Sequence, residues 1–282
     1  MVAAAGWNDT VDEHTLTNRR HPIVGRFREA ARQSGPLILL DGAHLLQAAL
    51  AAGLAVEIVA VTKATVESGL VPSSLREQLA ERGAHVLSTT SSVMEALSPV
   101  RTPSGVVALA HRPSIDRRAL VTPAPAFLLA AIDVQDPGNV GAIVRSADAA
   151  GATGVVTSAA SADPFGWKAL RGAMGSSFRL PIWARADGSE LLAFCRSEHL
   201  RVAAAVPRAQ TSLFAVDFRQ PTAVLIGSEG GGLPDWAVRH ADQVFSIPMR
   251  GNIDSLNVAV SAGLVAYEAF RQRVPSDTAP RQ

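Results

Sequence analysis

The sequence predicts an α/β protein of two parts: a small N-terminal α/β unit and a larger C-terminal unit built on a parallel sheet. Three features predict it. Short apolar runs alternate along the chain with segments of helical period, the pattern of strands covered by helices on both faces. An aperiodic, proline-rich stretch, "RPSIDRRALVTPAPA", interrupts the alternation and reads as a linker. After three of the C-terminal runs the chain passes through glycine and polar residues, and the carboxyl ends of strands are where open α/β sheets hold their ligands.

Taken in order, residues 1–18 are polar and without period, and are expected as a flexible tail. "HPIVGRFREAARQSG" has the spacing of a short amphipathic helix, and "PLILLDG" that of a buried strand. "AHLLQAALAAG" is a helix stopped at Gly53, a residue that tolerates the left-handed backbone past a helix end. "VEIVAVT", "HVLS" and "GVVALAH" are strands, separated by the helices "SSLREQLAERG" and "SSVMEALSP". These elements fill an N-terminal domain over 19–112, and 113–124 is the linker.

The second domain, 125–274, repeats the alternation. "AFLLAAIDV", "TGVVTS", "RLPIW", "LRVAAAV", "TAVLIG" and "QVFSIP" are its strands. "GNVGAIVRSADAAG", "DPFGWKALRGAMG", "SELLAFCRSE" and "PDWAVRH" are its helices, and a terminal helix runs from about Ser255 to Arg273. A second tail, 275–282, follows. No internal repeat is present.

Composition narrows the function. Hydrophobic residues at 48% with 18% charged exclude a disordered chain, and a net charge of +1 gives no bulk attraction to nucleic acid. Of the 26 basic residues only Lys63 and Lys168 are lysine; arginine's planar fork suits phosphate and guanine edges, but codon-composition bias, with alanine abundant too, accounts for the same excess. Cys195 is the single cysteine, so no intrachain disulfide forms. It follows "LLAF" on an amphipathic helix and is expected in the core. Histidine spacing offers no metal site, and none is expected. Without a secretory leader or a membrane-length apolar run, the expected location is cytoplasmic.

The three loops carry the chemistry. In "IDVQDPGNVGAIVRSADAAG", Asn139 is placed to cap the next helix, and Arg145 follows six residues on, within reach of the same cleft. "TAVLIGSEGGGLP" is glycine-rich, yet it lacks the Lys-Ser/Thr of a phosphate-binding loop, and Gly227 to Gly232 do not read G-x-G-x-x-G. Glu229 inside it would repel phosphate, so a ligand with hydroxyls or positive charge suits it better. In "IPMRGNIDSLNVAVSAG" the backbone around Ile247 and Met249 offers groups to a purine edge, and Asp254, Ser255 and Asn257 sit at the mouth of a small-residue helix. "AVSAG" mimics a nucleophile elbow but falls inside that helix.

Asn139-x-Gly141-x-x-x-Arg145, then Ile226-Gly227-Ser228-Glu229-Gly230 with Gly232-Leu233, then Ile247-Pro248-Met249 with Ser255-Leu256-Asn257-Val258-Ala259, resemble in order and spacing the three motifs of the SpoU (TrmH-like) class of SPOUT RNA methyltransferases. "RFREAARQSGPLILLDGAHLLQAAL" resembles that family's N-terminal RNA-binding domain, akin to a ribosomal-protein fold. The resemblance implies a deep trefoil knot in the C-terminal domain, S-adenosylmethionine bound in it, and a homodimer packed through it. It implies 2′-O-methylation of ribose in structured RNA, with ribosomal RNA favoured over transfer RNA. An antibiotic self-resistance methyltransferase and a non-catalytic RNA-binding protein are the alternatives.

Carried over residue by residue, the resemblance places Arg145, Asn139, Glu229, Ser255 and Asn257 at the reaction. The cofactor falls to Ile226, Gly227 and Gly230 on one loop and to Ile247, Met249, Ser255, Leu256 and Asn257 on the other. Methyl transfer to a hydroxyl needs alignment and removal of a weakly acidic proton, but no metal. Arg145 stays protonated at any working pH, so gripping phosphate and polarising the hydroxyl suits it better than acting as a base. Arg26, in the basic cluster of the first helix, and Arg171, in "KALRGAMGSSFRLP", are the candidate RNA contacts.

Overall fold

The computed structural model describes residues 15–250 and 253–274; the expected tail at 275–282, and most of that at 1–18, lie outside the described residues. In chain order the elements are α1 (Pro22–Arg32), β1 (Leu37–Asp41), α2 (Ala43–Ala51), β2 (Val56–Thr62), α3 (Lys63–Glu67), α4 (Ser73–Glu81), β3 (His85–Thr89), α5 (Ser91–Leu97) and β4 (Val106–His111). They continue with β5 (Phe127–Ile132), α6 (Pro137–Ala149), β6 (Gly154–Ser158), α7 (Trp167–Ala173), β7 (Ile182–Ala186), α8 (Gly188–Ser197) and β8 (Arg201–Ala205). The last are β9 (Thr211–Ser212), β10 (Thr222–Gly227), α9 (Asp235–Arg239), β11 (Gln243–Ser246) and α10 (Val258–Arg273).

Two compact units result. One takes the described residues up to Pro113 together with Phe165–Phe178; the other takes Ser114–Pro164 and the described residues from Arg179 onward. In the first, four strands lie in the order β1-β4-β2-β3, with β4 antiparallel to both its neighbours and β2 parallel to β3. Its core gathers Phe27, Leu39, Ile58, Met94 and Leu109, and Trp167 of α7 packs against it. The chain therefore lends this unit a helix from between β6 and β7. In the same unit burial pushes the Asp41 carboxyl up, while a 2.6 Å hydrogen bond from Ser98 Oγ and the nearby Arg171 charge pull it down.

The second unit is a seven-stranded parallel sheet in the order β7-β6-β5-β10-β8-β11-β9. β5, "FLLAAI", is buried at every residue, as a central parallel strand covered on both faces requires. Phe127 meets Phe218 edge-on at 5.9 Å, and burying such a ring contributes about 2–3 kcal/mol. The order sets β5, β10, β8 and β11 side by side, so the loops leaving their carboxyl ends emerge together.

Local chemistry corrects several expectations. The cap of α6 is Asp136, whose Oδ1 accepts from Asn139 N at 2.9 Å, and Pro137 occupies the first turn; Asn139 is free of capping duty. The terminal helix starts at Val258, because Asn257 rather than Ser255 is its cap. β7 begins past Pro181, which has no N–H for the ladder. Neither α3 nor β9 was expected; five and two residues are too short to show a period. Cys195 is buried on α8, and burial pushes its thiol up to about 12.

Candidate active site

Glu229, on the loop after β10, is the centre of the site. Its Oε1 accepts from Asn139 Nδ2 of α6 at 3.3 Å, from Val258 N of α10 at 3.3 Å, and from Asn257 Nδ2. Asn257 Nδ2 also donates to Asn139 Oδ1 at 3.1 Å, closing a triangle of side chains 28 to 118 residues apart in sequence. Asn257 Oδ1 accepts from Ala259 N at 3.0 Å and Val260 N at 3.2 Å, so one amide caps the helix and joins the triangle. The carboxylate lies at the amino end of α10, where the helix dipole favours negative charge by about 0.3–1 kcal/mol. Glu229 Oε2 has no partner among the described residues.

Turn chemistry shapes the loop. Ser228 and Gly232 exchange backbone hydrogen bonds at 3.2 and 2.9 Å, and Gly232 takes a φ of +63°. A Cβ on Gly227 would run into the backbone of Gly232 and Leu233, which is why β10 must end in glycine. Asp133, at the end of β5, has a φ of +57° and is held by Ser158, whose Oγ accepts from Asp133 N at 2.9 Å and donates to its Oδ1 at 2.8 Å.

Two cavities flank this loop. The larger, about 630 Å³, is lined by Ile226, Gly227, Gly230, Ile247, Met249, Ser255 and Leu256, all expected at the cofactor. The smaller, about 370 Å³, is lined by Asn139, Asp133 and Asp136. Glu229, Gly230 and Val258 line both, so the triangle stands on the wall between them. Asn257 lines neither and acts on that wall through Glu229 and Asn139.

Arg145 is not part of the cluster. Six residues turn a helix by roughly 600°, leaving Arg145 about 120° around α6 from Asn139. It is exposed, lines neither cavity, and has no polar partner among the described residues. Arg26 is held by Glu57 at 2.8 Å, and Arg171 is exposed on the last turn of α7. Two lining features escaped the sequence reading. One is the loop after β8, Val206 to Arg208; the other is the acidic lining at Asp133 and Asp136. The polar interruption "VPRAQ" after an alanine strand was the available signal for the first. Among the described residues no cluster of His, Cys, Asp or Glu could hold a metal, and no helix is long and apolar enough to cross a membrane.

A parallel sheet with a nucleoside-sized cavity at its central strand ends, and a polar triangle on the wall between that cavity and a second one, is the arrangement in which α/β folds hold a nucleotide-like ligand. Comparison with known proteins agrees. The chain belongs to the SpoU rRNA Methylase family, whose sequence profile matches residues 126–267, and an MRM3-like substrate binding domain matches 27–108. The uncharacterized tRNA/rRNA methyltransferase slr1673 of Synechocystis is 33% identical over 95% of this chain and 98% of its own. The 23S rRNA (guanosine(2553)-2'-O)-methyltransferase RlmP of Bacillus subtilis is 30% identical over 81% of this chain and 86% of its own. The AdoMet-bound rRNA methyltransferase of Sinorhizobium meliloti superposes with a TM-score of 0.81 at 28% identity, covering 93% of this chain and 99% of that one. The expected family, the α/β fold with its parallel sheet and N-terminal substrate-binding domain, and S-adenosylmethionine dependence are thereby borne out.

The larger cavity suits that cofactor. Its volume is that of a nucleoside-sized ligand, Gly227 and Gly230 leave backbone open to an adenosine, and carboxylates at Glu229 and Asp254 meet positive charge.

Proposed function

We propose that this chain methylates a ribose 2′-hydroxyl of ribosomal RNA, using S-adenosylmethionine. The observation that carries this reading is the Asn139–Glu229–Asn257 triangle on the wall shared by the two cavities. When bound, S-adenosylmethionine supplies a methyl group on a sulfonium. Ile226, Ile247, Met249 and Leu256, which line the larger cavity, would hold its adenosine, and Ser255 its methionine end. The free Oε2 of Glu229, a residue that lines the smaller cavity, would accept a hydrogen bond from a ribose hydroxyl and so orient its oxygen for methyl transfer. Asn139 and Asn257 fix that carboxylate through Oε1, so alignment is set before substrate arrives. Arg145, exposed and unpartnered among the described residues, grips an RNA phosphate, and the hydroxyl proton passes along its hydrogen bond to Glu229 Oε2 and from there to water.

The same reading assigns RNA capture to the domain over 19–112, with Arg26 and Arg171 as contacts, and methyl transfer to 125–274. The trefoil knot and the homodimer belong to it as well. Support for the dimer comes from α10, which exposes Val260, Leu264, Tyr267 and Phe270 at 41–53%, an apolar stripe that water disfavours and a second copy would cover. A cytoplasmic location, beside ribosomes, completes it.

The test is ribose-methylation mapping of ribosomal and transfer RNA from cells with and without the protein, paired with the purified enzyme on each RNA. One ribosomal nucleotide should lose its methyl group in the deletion strain and regain it in vitro. Methylation confined to transfer RNA, or absent from both, would refute the assignment.

A further inference from the structure

Arg208 is the single lysine or arginine among the described residues that line the larger cavity. It stands on the loop after β8 and is 92% exposed, facing Asp254, 93% exposed, on the loop after β11. Arg208 Nη2 lies 3.8 Å from Asp254 Oδ1, the outer limit of an ion pair, and no hydrogen bond joins them. A pair so exposed contributes little to the fold. Neither loop depends on it, and both groups are available to a ligand entering the cavity.

The charges of the lining are Arg208, Asp254 and Glu229, one cation and two carboxylates. S-adenosylmethionine carries the complement: a sulfonium, an ammonium and one carboxylate. We propose that Arg208 is a cofactor-specificity residue, binding the α-carboxylate at the methionine end while Asp254 braces the guanidinium and receives the ammonium. The inference rests on the larger cavity being the cofactor site. A planar guanidinium meets a carboxylate with two parallel hydrogen bonds, stronger and more directional than a backbone N–H alone provides. The apolar and backbone lining at Ile226, Ile247 and Leu256 recognises adenosine but does not distinguish an amino-acid tail from a simple amine. Arg208 supplies that distinction. The product S-adenosylhomocysteine keeps the carboxylate, so Arg208 holds both cofactor forms alike.

The experiment is isothermal titration of the full chain with S-adenosylmethionine, S-adenosylhomocysteine and decarboxylated S-adenosylmethionine, for the wild type and for Arg208→Ala and Arg208→Gln. The wild type should bind the two carboxylate-bearing ligands on the order of tenfold more tightly than the decarboxylated one. Both variants should lose about that factor for the first two ligands and none for the third, which also shows that they are folded. Wild-type affinity for S-adenosylmethionine in Arg208→Ala would overturn the proposal, as would an equal loss on all three ligands. If the wild type bound none of the three, the cavity assignment itself would fall, a result distinct from failure of Arg208 alone. A variant with unchanged cofactor binding and weakened RNA binding would place Arg208 on the substrate instead, and would likewise overturn it.

Discussion

Asn257 performs two separable tasks, and substitution can divide them. In Asn257→Ala the helix loses its cap, two hydrogen bonds from Ala259 N and Val260 N, at a cost of about 1–2 kcal/mol. It also loses the donation to Glu229, which adds about 0.5 kcal/mol after discounting for the exposure of the group. The sum, about 2 kcal/mol, corresponds to a fall of roughly 4–8 °C in melting temperature for a unit of this size. Asn257→Ser keeps a capping oxygen, so stability should drop by less than about 1 kcal/mol. Serine, however, is too short to bridge Glu229 and Asn139, and the carboxylate would lose its pre-set orientation. Turnover on the RNA substrate should therefore fall on the order of a hundredfold in both variants, while cofactor affinity should stay within about threefold, since Asn257 does not line the larger cavity. Thermal denaturation, titration with S-adenosylmethionine and single-turnover methylation give the three readings. Wild-type turnover in Asn257→Ser would show that the triangle orients nothing.

Gly227→Ala should abolish cofactor binding by titration and destabilise the chain by about 3 kcal/mol, because its Cβ meets backbone that cannot move aside. Arg145→Lys keeps the charge but loses the fork, so methylation should fall about tenfold or more with cofactor affinity unchanged; full activity would remove Arg145 from phosphate binding. Leu264→Glu places charge in the exposed stripe of α10 and should convert a dimer to a monomer by light scattering without a change in melting temperature of the monomer. Cys195 should resist alkylation in the folded state. Since its folded pKa, about 12, lies above the ordinary 9.0, the stability it contributes is complete below pH 9 and lost as pH rises from there toward 12, readable as a falling urea midpoint.

The strands were legible because parallel sheets bury both faces, and runs such as "FLLAAI" and "TAVLIG" have no other stable use. The site was legible in its parts, since Gly227, Glu229 and Asn257 are residues that turns, ligands and helix caps select. Their relations were not. The Pro137-Gly138 turn suggested that Asn139 caps α6, yet Asp136 three residues earlier does so and leaves the Asn139 amide for Glu229. Proximity in sequence likewise drew Arg145 toward Asn139, whereas helical geometry turns it away. Which strands become neighbours decides which loops meet, and that order is a property of the whole sheet. The association of α7 with the first unit was hidden for the same reason: Trp167 finds its apolar partners far away in sequence.

Glu229 and Asn257 are exposed and Asn139 is half-buried, so burial alone does not hold the triangle; α10 does. At the far end of that helix Arg273 donates to the carbonyls of Phe218 (2.6 Å), Pro125 (2.6 Å), Ala126 (3.0 Å) and Gln220 (3.0 Å), and its guanidinium lies 5.1 Å from the Phe127 ring centroid. Gln272 adds bonds to Val216 O at 2.9 Å and from Phe218 N at 2.8 Å. Midway, Gly263 sits close enough to Ser146 of α6 that a Cβ there would already touch its hydroxyl at 3.7 Å. The helix spans 16 residues, or about 24 Å at 1.5 Å per residue, so a tilt of only about 2° at the clamp moves Asn257 by about 1 Å. Hydrogen bonds near 3 Å do not survive such a shift. The seating of one helix at its carboxyl end thus sets the accuracy of the triangle at its amino end.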